Sequence, residues 1–169
     1  VTIFATKKVK IGKNRSITDP IIQKFEMALK RLTLNLAKQI VVDGEGAKKF
    51  ITIKVVSAKS ISNAKKIAFS IASSPLIKTA VAGEDPNWGR VIMGVGKSGE
   101  KVDPDKIVIK FGDLVVAENG TISENYDEIK VKEYMKWDSI FIEINLNQGN
   151  ENFECYTCDF THDYIDINA

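Results

Sequence analysis

One histidine, two cysteines, four prolines and no apolar run near 20 residues leave this 169-residue chain poor in the groups that several chemistries need. With His162 as the lone imidazole, a Ser-His-Asp triad has one possible base and no assignable partners. Cys155 and Cys158 form a single C-x-x-C, but a closed zinc site wants four ligands, and only His162 and Asp163 lie nearby. No metal and no cofactor are expected. A redox pair prefers a helix N-terminus, whereas the row FECYTCDFTH reads as strand, so two reduced cysteines in a sheet are expected. A bilayer span needs about 20 apolar residues, and the opening VTIFATKKVK lacks the charged-then-apolar order of a secretory signal. The expectation is a soluble, cytoplasmic protein with no membrane partner.

What the chain does contain is a core's worth of apolar residues, 44%, and an uneven charge. Residues 1 to 66 hold 15 Lys and Arg against 4 Asp and Glu, and the remainder 9 against 18. The lysines are scattered, with little aromatic interleaving, so a solvated lysine-rich face or a contact between oppositely charged lobes is favoured over a nucleic-acid surface.

Periodicity organises the first half. Val1 to Ala5 reads as a strand and residues 7–13 as a basic turn with Gly12. Asp19 is a good N-cap, Pro20 suits the first helical position, and Phe25, Leu29, Leu32, Leu36 and Ile40 recur at helical spacing, which predicts a helix to about Val42. After the DGEG turn, Ile51, Ile53 and Val55 alternate with Phe50, Thr52, Lys54 and Val56, a strand with one apolar face. Ser60 or Ser62 can cap a helix carrying Ala64, Ile67, Ala68 and Ile71, ended by Ser74-Pro75. VIMGVGKSG resembles a phosphate loop only loosely, since the full spacing of that motif is missing.

The second half predicts short strands in KIVIKFG and LVVAENG, with Asn119-Gly120 as a turn pair. A Ser123-capped helix through Tyr126, Ile129, Tyr134 and Met135 follows, and residues 139–146 and 153–160 read as a hairpin.

Three rows concentrate residues able to do chemistry. Glu45 lies between two glycines, which let a ligand or backbone approach closely; the plain alternative is a solvated acid on a helix-ending turn. In EDPNWGR, Arg90 could clamp a carboxylate and Asn87 could orient a polar ligand; the alternative is an Arg90 to Asp85 pair stiffening a turn. In CDFTHDYIDIN, Asp159, Thr161, Asp163 and Asn168 are polar groups after a strand near the chain end; taken alone, a frayed terminus with ordinary capping is the favoured reading of them.

Read together, AKQIVVDGEGAKKF, SSPLIKTAVAGEDPNWGRVIMGVG, VDPDKI and CDFTHDYIDINA resemble the C-terminal part of the ornithine acetyltransferases, also called glutamate N-acetyltransferases. The resemblance implies a mixed α/β fold: residues 1–85 as a portion of a layered helix-sheet-sheet-helix catalytic domain, and 86–169 as a small α+β lobe whose last strand returns to the active site. It implies acetyl transfer from N2-acetylornithine to glutamate, in some members also from acetyl-CoA, through a self-cleaved N-terminal threonine whose own amine can act as base. Glu45 and Asn168 match substrate-binding positions of the family. Asp85, Asn87, Arg90, Asp159 and Asp163 fall in matching motifs and are expected to shape the site. Implied partners are N2-acetylornithine, ornithine, glutamate and the α chain of one precursor, in a heterotetramer of two α and two β chains.

Thr2 does not stand in the family's cleavage context, and Val1 matches a strand inside the β chain. The expectation is therefore a β-chain fragment, inactive alone, with the nucleophile upstream. Other readings are a non-enzymatic binding module on this scaffold, using the basic helix, and an N-terminal-nucleophile aminopeptidase relative. Partner binding without an amino-acid ligand would mark the first, and acceptor-independent amide hydrolysis the second.

Overall fold

A computed structural model of the chain describes Lys8 and residues 16–169. The strand expected at Val1 to Ala5, Thr2 and, Lys8 apart, the basic turn of residues 7–13 lie outside the described residues. The chain divides into two compact units, Val1–Lys38 and Gln39–Ala169.

The first unit holds most of helix α1 (Pro20–Val42). Asp19 Oδ1 accepts the Ile21 N–H at 2.8 Å, satisfying a donor that the first turn leaves unpaired. Pro20 has no N–H to lose there. Glu26 and Lys30 pair at 2.7 Å one turn apart.

The second unit is a mixed sheet of six strands in the order β4-β3-β2-β5-β1-β6. The strands are β1 (Phe50–Ala58), β2 (Val108–Phe111), β3 (Leu114–Glu118), β4 (Thr121–Ile122), β5 (Ser139–Asn145) and β6 (Glu151–Cys158). Only β1 and β5 run parallel; every other neighbouring pair is antiparallel. This is the mixed α/β class, with strands drawn from both sides of residue 85. Period-2 geometry puts Ile51, Ile53 and Val55 on one face opposite Ile140, Ile142 and Ile144, all buried. Burying each such side chain is worth about 1.5–3 kcal/mol. Helix α2 (Ile61–Ala72) covers β1 and β6 with Ala64, Ile67, Ala68 and Ile71. Ser60 caps it, its Oγ accepting from the Asn63 N–H at 3.1 Å.

The expected hairpin of residues 139–146 and 153–160 is not formed, because β1 lies between β5 and β6. The connection is pinned to the end of β1 instead: the Leu146 N–H donates to Val56 O at 3.0 Å and the Gln148 N–H to Ser57 O at 2.8 Å. A strand buried along one face and half-buried along the other gains most by pairing at both edges. β1 has that burial pattern.

Three helices appear where the sequence reading has none: α3 (Pro75–Ala82), α4 (Trp88–Lys97) and α6 (His162–Asn168). The glycine-rich row is thus helical, not a phosphate loop. A Cβ on Gly94 would come within 3.0 Å of Ile71 Cγ1 and 3.1 Å of Ile77 Cδ1, so glycine there lets α4 close on α2 and α3. Helix α5 (Glu128–Met135) is capped by Asp127, whose Oδ1 accepts the Lys130 N–H at 3.1 Å. Ser123 serves an earlier turn, accepting from the Asn125 N–H at 3.2 Å.

Candidate functional site

The start of β1 and the end of β6 meet at one edge of the sheet, where Phe50 is paired with Cys158. Before β1, the chain leaves α1 through Asp43-Gly44-Glu45-Gly46, with the Ala47 N–H returning to Gly44 O at 3.0 Å. Gly46 has φ +69, a left-handed conformation that side chains resist. After β6, Asp159 is 3% exposed, and its Oδ1 accepts the Lys48 N–H at 2.8 Å and the Lys49 N–H at 3.0 Å. Its Oδ2 is buried without a protein partner. The Asp159 N–H in turn donates to Lys49 O at 3.1 Å. Thr161 donates its hydroxyl to Gly46 O at 2.6 Å.

These bonds carry the chain into α6, which folds back over the Glu45 turn. Its last residue, Asn168, donates from Nδ2 to Glu45 Oε2 at 2.8 Å and to Tyr164 O at 2.9 Å. Asp163 pairs with Lys48 at 2.9 Å, and that hydrogen bond, followed by the carboxylate's charge, raises the Lys48 pKa above the ordinary lysine value. A hollow of about 340 Å3 opens beside these groups, lined by Glu45, Lys78, Cys158, Asp159, Phe160 and Tyr164 among others. Such a volume is at the small end of ligand cavities. Phe160 and Tyr164 meet edge to face, 4.8 Å between centroids, and wall it.

Four of the seven residues singled out in the sequence, Glu45, Asp159, Asp163 and Asn168, are therefore brought together. The other three are not. Asp85 and Asn87 line a separate, open hollow of about 460 Å3 with Trp88, Tyr126, Glu128 and Lys132. Asn87 caps α4, its Oδ1 accepting the Arg90 N–H at 3.1 Å, and its Nδ2 donates to Asp85 Oδ2 at 3.0 Å. Among the described residues Arg90 neither clamps a carboxylate nor pairs with Asp85. Its Nη1 donates to Leu76 O at 2.7 Å and reaches Thr79 Oγ1 at 3.4 Å, which ties α4 to α3.

Cys155 and Cys158 are both free. Cys155 is buried opposite Ile53; that burial, then the charge of Glu154, pushes its thiol up to about 11. Cys158 lines the Glu45 hollow instead. No group of three or more His, Cys, Asp or Glu side chains among the described residues is placed to hold a metal ion. No helix among them is long and apolar enough to cross a membrane.

One lysine of this region carries no signal in the motifs above. Lys49 is 9% exposed, and its Nζ donates to Met135 O at 2.6 Å, to Trp137 O at 3.4 Å and to Glu84 Oε1 at 3.3 Å. A cation at the C-terminal end of α5 meets carbonyls that the helix itself leaves unpaired. Lys49 thereby joins the Glu45 turn, the EDPNWGR turn and α5. Lys49→Met keeps the stem but strips the ammonium from buried carbonyls, and is expected to lower stability by about 1–2 kcal/mol. An unmoved urea midpoint would rule that role out. A hydrophilic residue at the start of an apolar strand was the available signal.

A model of the ArgJ family matches residues 1–169 of the chain. The arginine biosynthesis bifunctional protein ArgJ of Gluconobacter oxydans is 47% identical over 167 residues, 99% of this chain and 39% of that protein. Its counterpart in Ruegeria pomeroyi is 50% identical over 145 residues, 86% of this chain and 36% of that protein. The crystal structure of arginine biosynthesis bifunctional protein ArgJ from Bacillus halodurans superposes with a TM-score of 0.87 at 35% identity, covering 93% of this chain and 74% of that one. The chain spans well under half the length of the curated relatives it matches. With a family match over the whole chain and identities of this size, the chain belongs to the ArgJ family.

Proposed function

We propose that this chain provides the amino-acid-holding half of an acetyl-transfer site. The observation that carries the reading is the convergence of Glu45 and Asn168, 123 positions apart, through a 2.8 Å hydrogen bond at the mouth of a small hollow. Asn168 engages Glu45 Oε2, which fixes the carboxylate and leaves Oε1 to take an ammonium group. The family match and relatives named for arginine biosynthesis support ornithine as the owner of that ammonium.

In this reading the whole protein moves the acetyl group of N2-acetylornithine to glutamate in arginine biosynthesis, and the bifunctional naming of the relatives supports acetyl-CoA as a further donor. A threonine nucleophile supplied from outside this chain attacks the acetyl carbonyl, forms an acetyl-threonine and releases ornithine; glutamate's amine then takes the acetyl group. Such a threonine is activated by its own α-amine. The one aliphatic hydroxyl lining the hollow, Ser73, is spent on Phe69 O at 2.5 Å. Glu45 and Asn168 position, and the α chain of the same precursor completes the site in a cytoplasmic assembly of two α and two β chains. Asp159 and Asp163 brace the turn and the helix that hold the pair.

Two measurements test this. The 169-residue chain alone is expected to show no acetyl transfer from N2-acetylornithine, and turnover at the intact protein's level would sink the assignment of the nucleophile elsewhere. Glu45→Gln in the intact protein is expected to weaken ornithine binding about tenfold, the worth of one exposed charge-assisted hydrogen bond. Unchanged binding would remove Glu45 from the site.

A further inference from the structure

Lys78 lines the same hollow as Glu45 from the opposite sign of charge. Its main chain is fixed: the Phe160 N–H donates to Lys78 O at 3.2 Å, joining α3 to the segment after β6. Its ammonium is not matched by an anion. Nζ lies 5.8 Å from the centroid of the Phe160 ring, and no carboxylate among the described residues comes within ion-pair distance of it. An ammonium over an aromatic face is weakly held, whereas a carboxylate would give it a short, charge-assisted bond. Neither acid in the lining plays that part here: Glu45 holds Asn168, Asp159 Oδ1 holds two backbone N–H groups, and neither carboxylate lies within ion-pair distance of Lys78 Nζ.

A hollow of about 340 Å3 with a fixed carboxylate and an unmatched ammonium among its lining residues suits a small zwitterion, one amino acid in size, better than a diamine. We infer that Lys78 is a specificity-determining residue, binding the α-carboxylate of the amino acid whose side-chain ammonium Glu45 takes. The inference rests on the reading of Glu45 given above. It adds the reason why an ornithine-like ligand, and not merely a cation, is selected.

The test compares ornithine with 1,4-diaminobutane, which is the same molecule without its carboxylate, by calorimetric titration of the intact protein. Wild type is expected to prefer ornithine by at least about tenfold, since one charge-assisted bond distinguishes the two ligands. Lys78→Met is expected to weaken ornithine by about that factor, to leave diaminobutane within about twofold, and so to abolish the preference. Lys78→Arg should keep most of it. Equal weakening of both ligands, or a preference that survives in Lys78→Met, overturns the inference. Glu45→Gln tests the underlying reading separately: it should weaken both ligands, and if it weakens neither while Lys78→Met still abolishes the preference, only the role of Glu45 falls.

Discussion

Gly46→Ala is expected to detach α6 from the Glu45 turn and to cost about 3 kcal/mol or more of the stability of the 39–169 unit. Two effects add. The residue sits at φ +69, where a side chain stores about 1–3 kcal/mol of strain. A Cβ built there lies 2.5 Å from Tyr164 N and 2.9 Å from Asp163 C, both main-chain atoms of α6, so no rotamer change relieves the clash. The helix must move away. It would take with it the Thr161 bond to Gly46 O, the Asp163 pair with Lys48 and the Asn168 bond to Glu45. Hydrogen exchange reads this locally: amides of residues 162–168 should lose protection in Gly46→Ala and keep it in Glu45→Gln. Ornithine binding should fall at least as far in Gly46→Ala as in Glu45→Gln. Full protection of α6 in the alanine variant would show that the close approach is not what seats the helix.

That glycine illustrates what the sequence exposes and what it hides. DGEG is visible as a helix-ending turn, because Gly44 and Gly46 follow a periodic apolar pattern and precede an alternating one. That Gly46 is needed for the approach of a helix more than 110 positions away is not visible, since nothing local encodes it. The same division runs through the fold. β1, α1 and α2 are legible because burial on one face forces a period, and Asp19 and Ser60 cap where their side chains predict. Residues 139–146 and 153–160 suggest a hairpin because two apolar rows flank a polar turn; the competing partner, β1, is set by long-range pairing. Gly94, Gly96 and Gly99 suggest a loop where α4 lies, while at Gly94 the missing side chain is what allows α2 and α4 to pack. Of the site, Glu45, Asp159, Asp163 and Asn168 stand out in the sequence as polar groups in two rows, the family resemblance adds a substrate-binding role for Glu45 and Asn168, and their convergence is a finding of the structure. Arg90 shows the limit of motif reading. Its guanidinium was expected to find a carboxylate and instead staples a helix carbonyl, Leu76 O, in the helix that also carries Lys78.

Asp159 separates geometry from charge in the same region. Asp159→Ala is expected to cost about 3 kcal/mol, because it leaves the N–H groups of Lys48 and Lys49 without acceptors where water has little access, at about 1.5–3 kcal/mol for each hydrogen bond to a charged group. Asp159→Asn is expected to cost less than about 1 kcal/mol. It can keep an oxygen where Oδ1 accepts both bonds, and it places its amide where Oδ2 now lies buried and unpartnered. The asparagine variant should therefore retain ornithine binding within a few fold, while the alanine variant loses it along with the order of the turn that carries Glu45. Chemical denaturation of the two variants, read with ornithine titrations of the intact protein, decides between the alternatives. If asparagine proves as damaging as alanine, the full negative charge of Asp159 is what the site needs. Lys48, whose pKa that charge also helps to raise, would then be the group it serves.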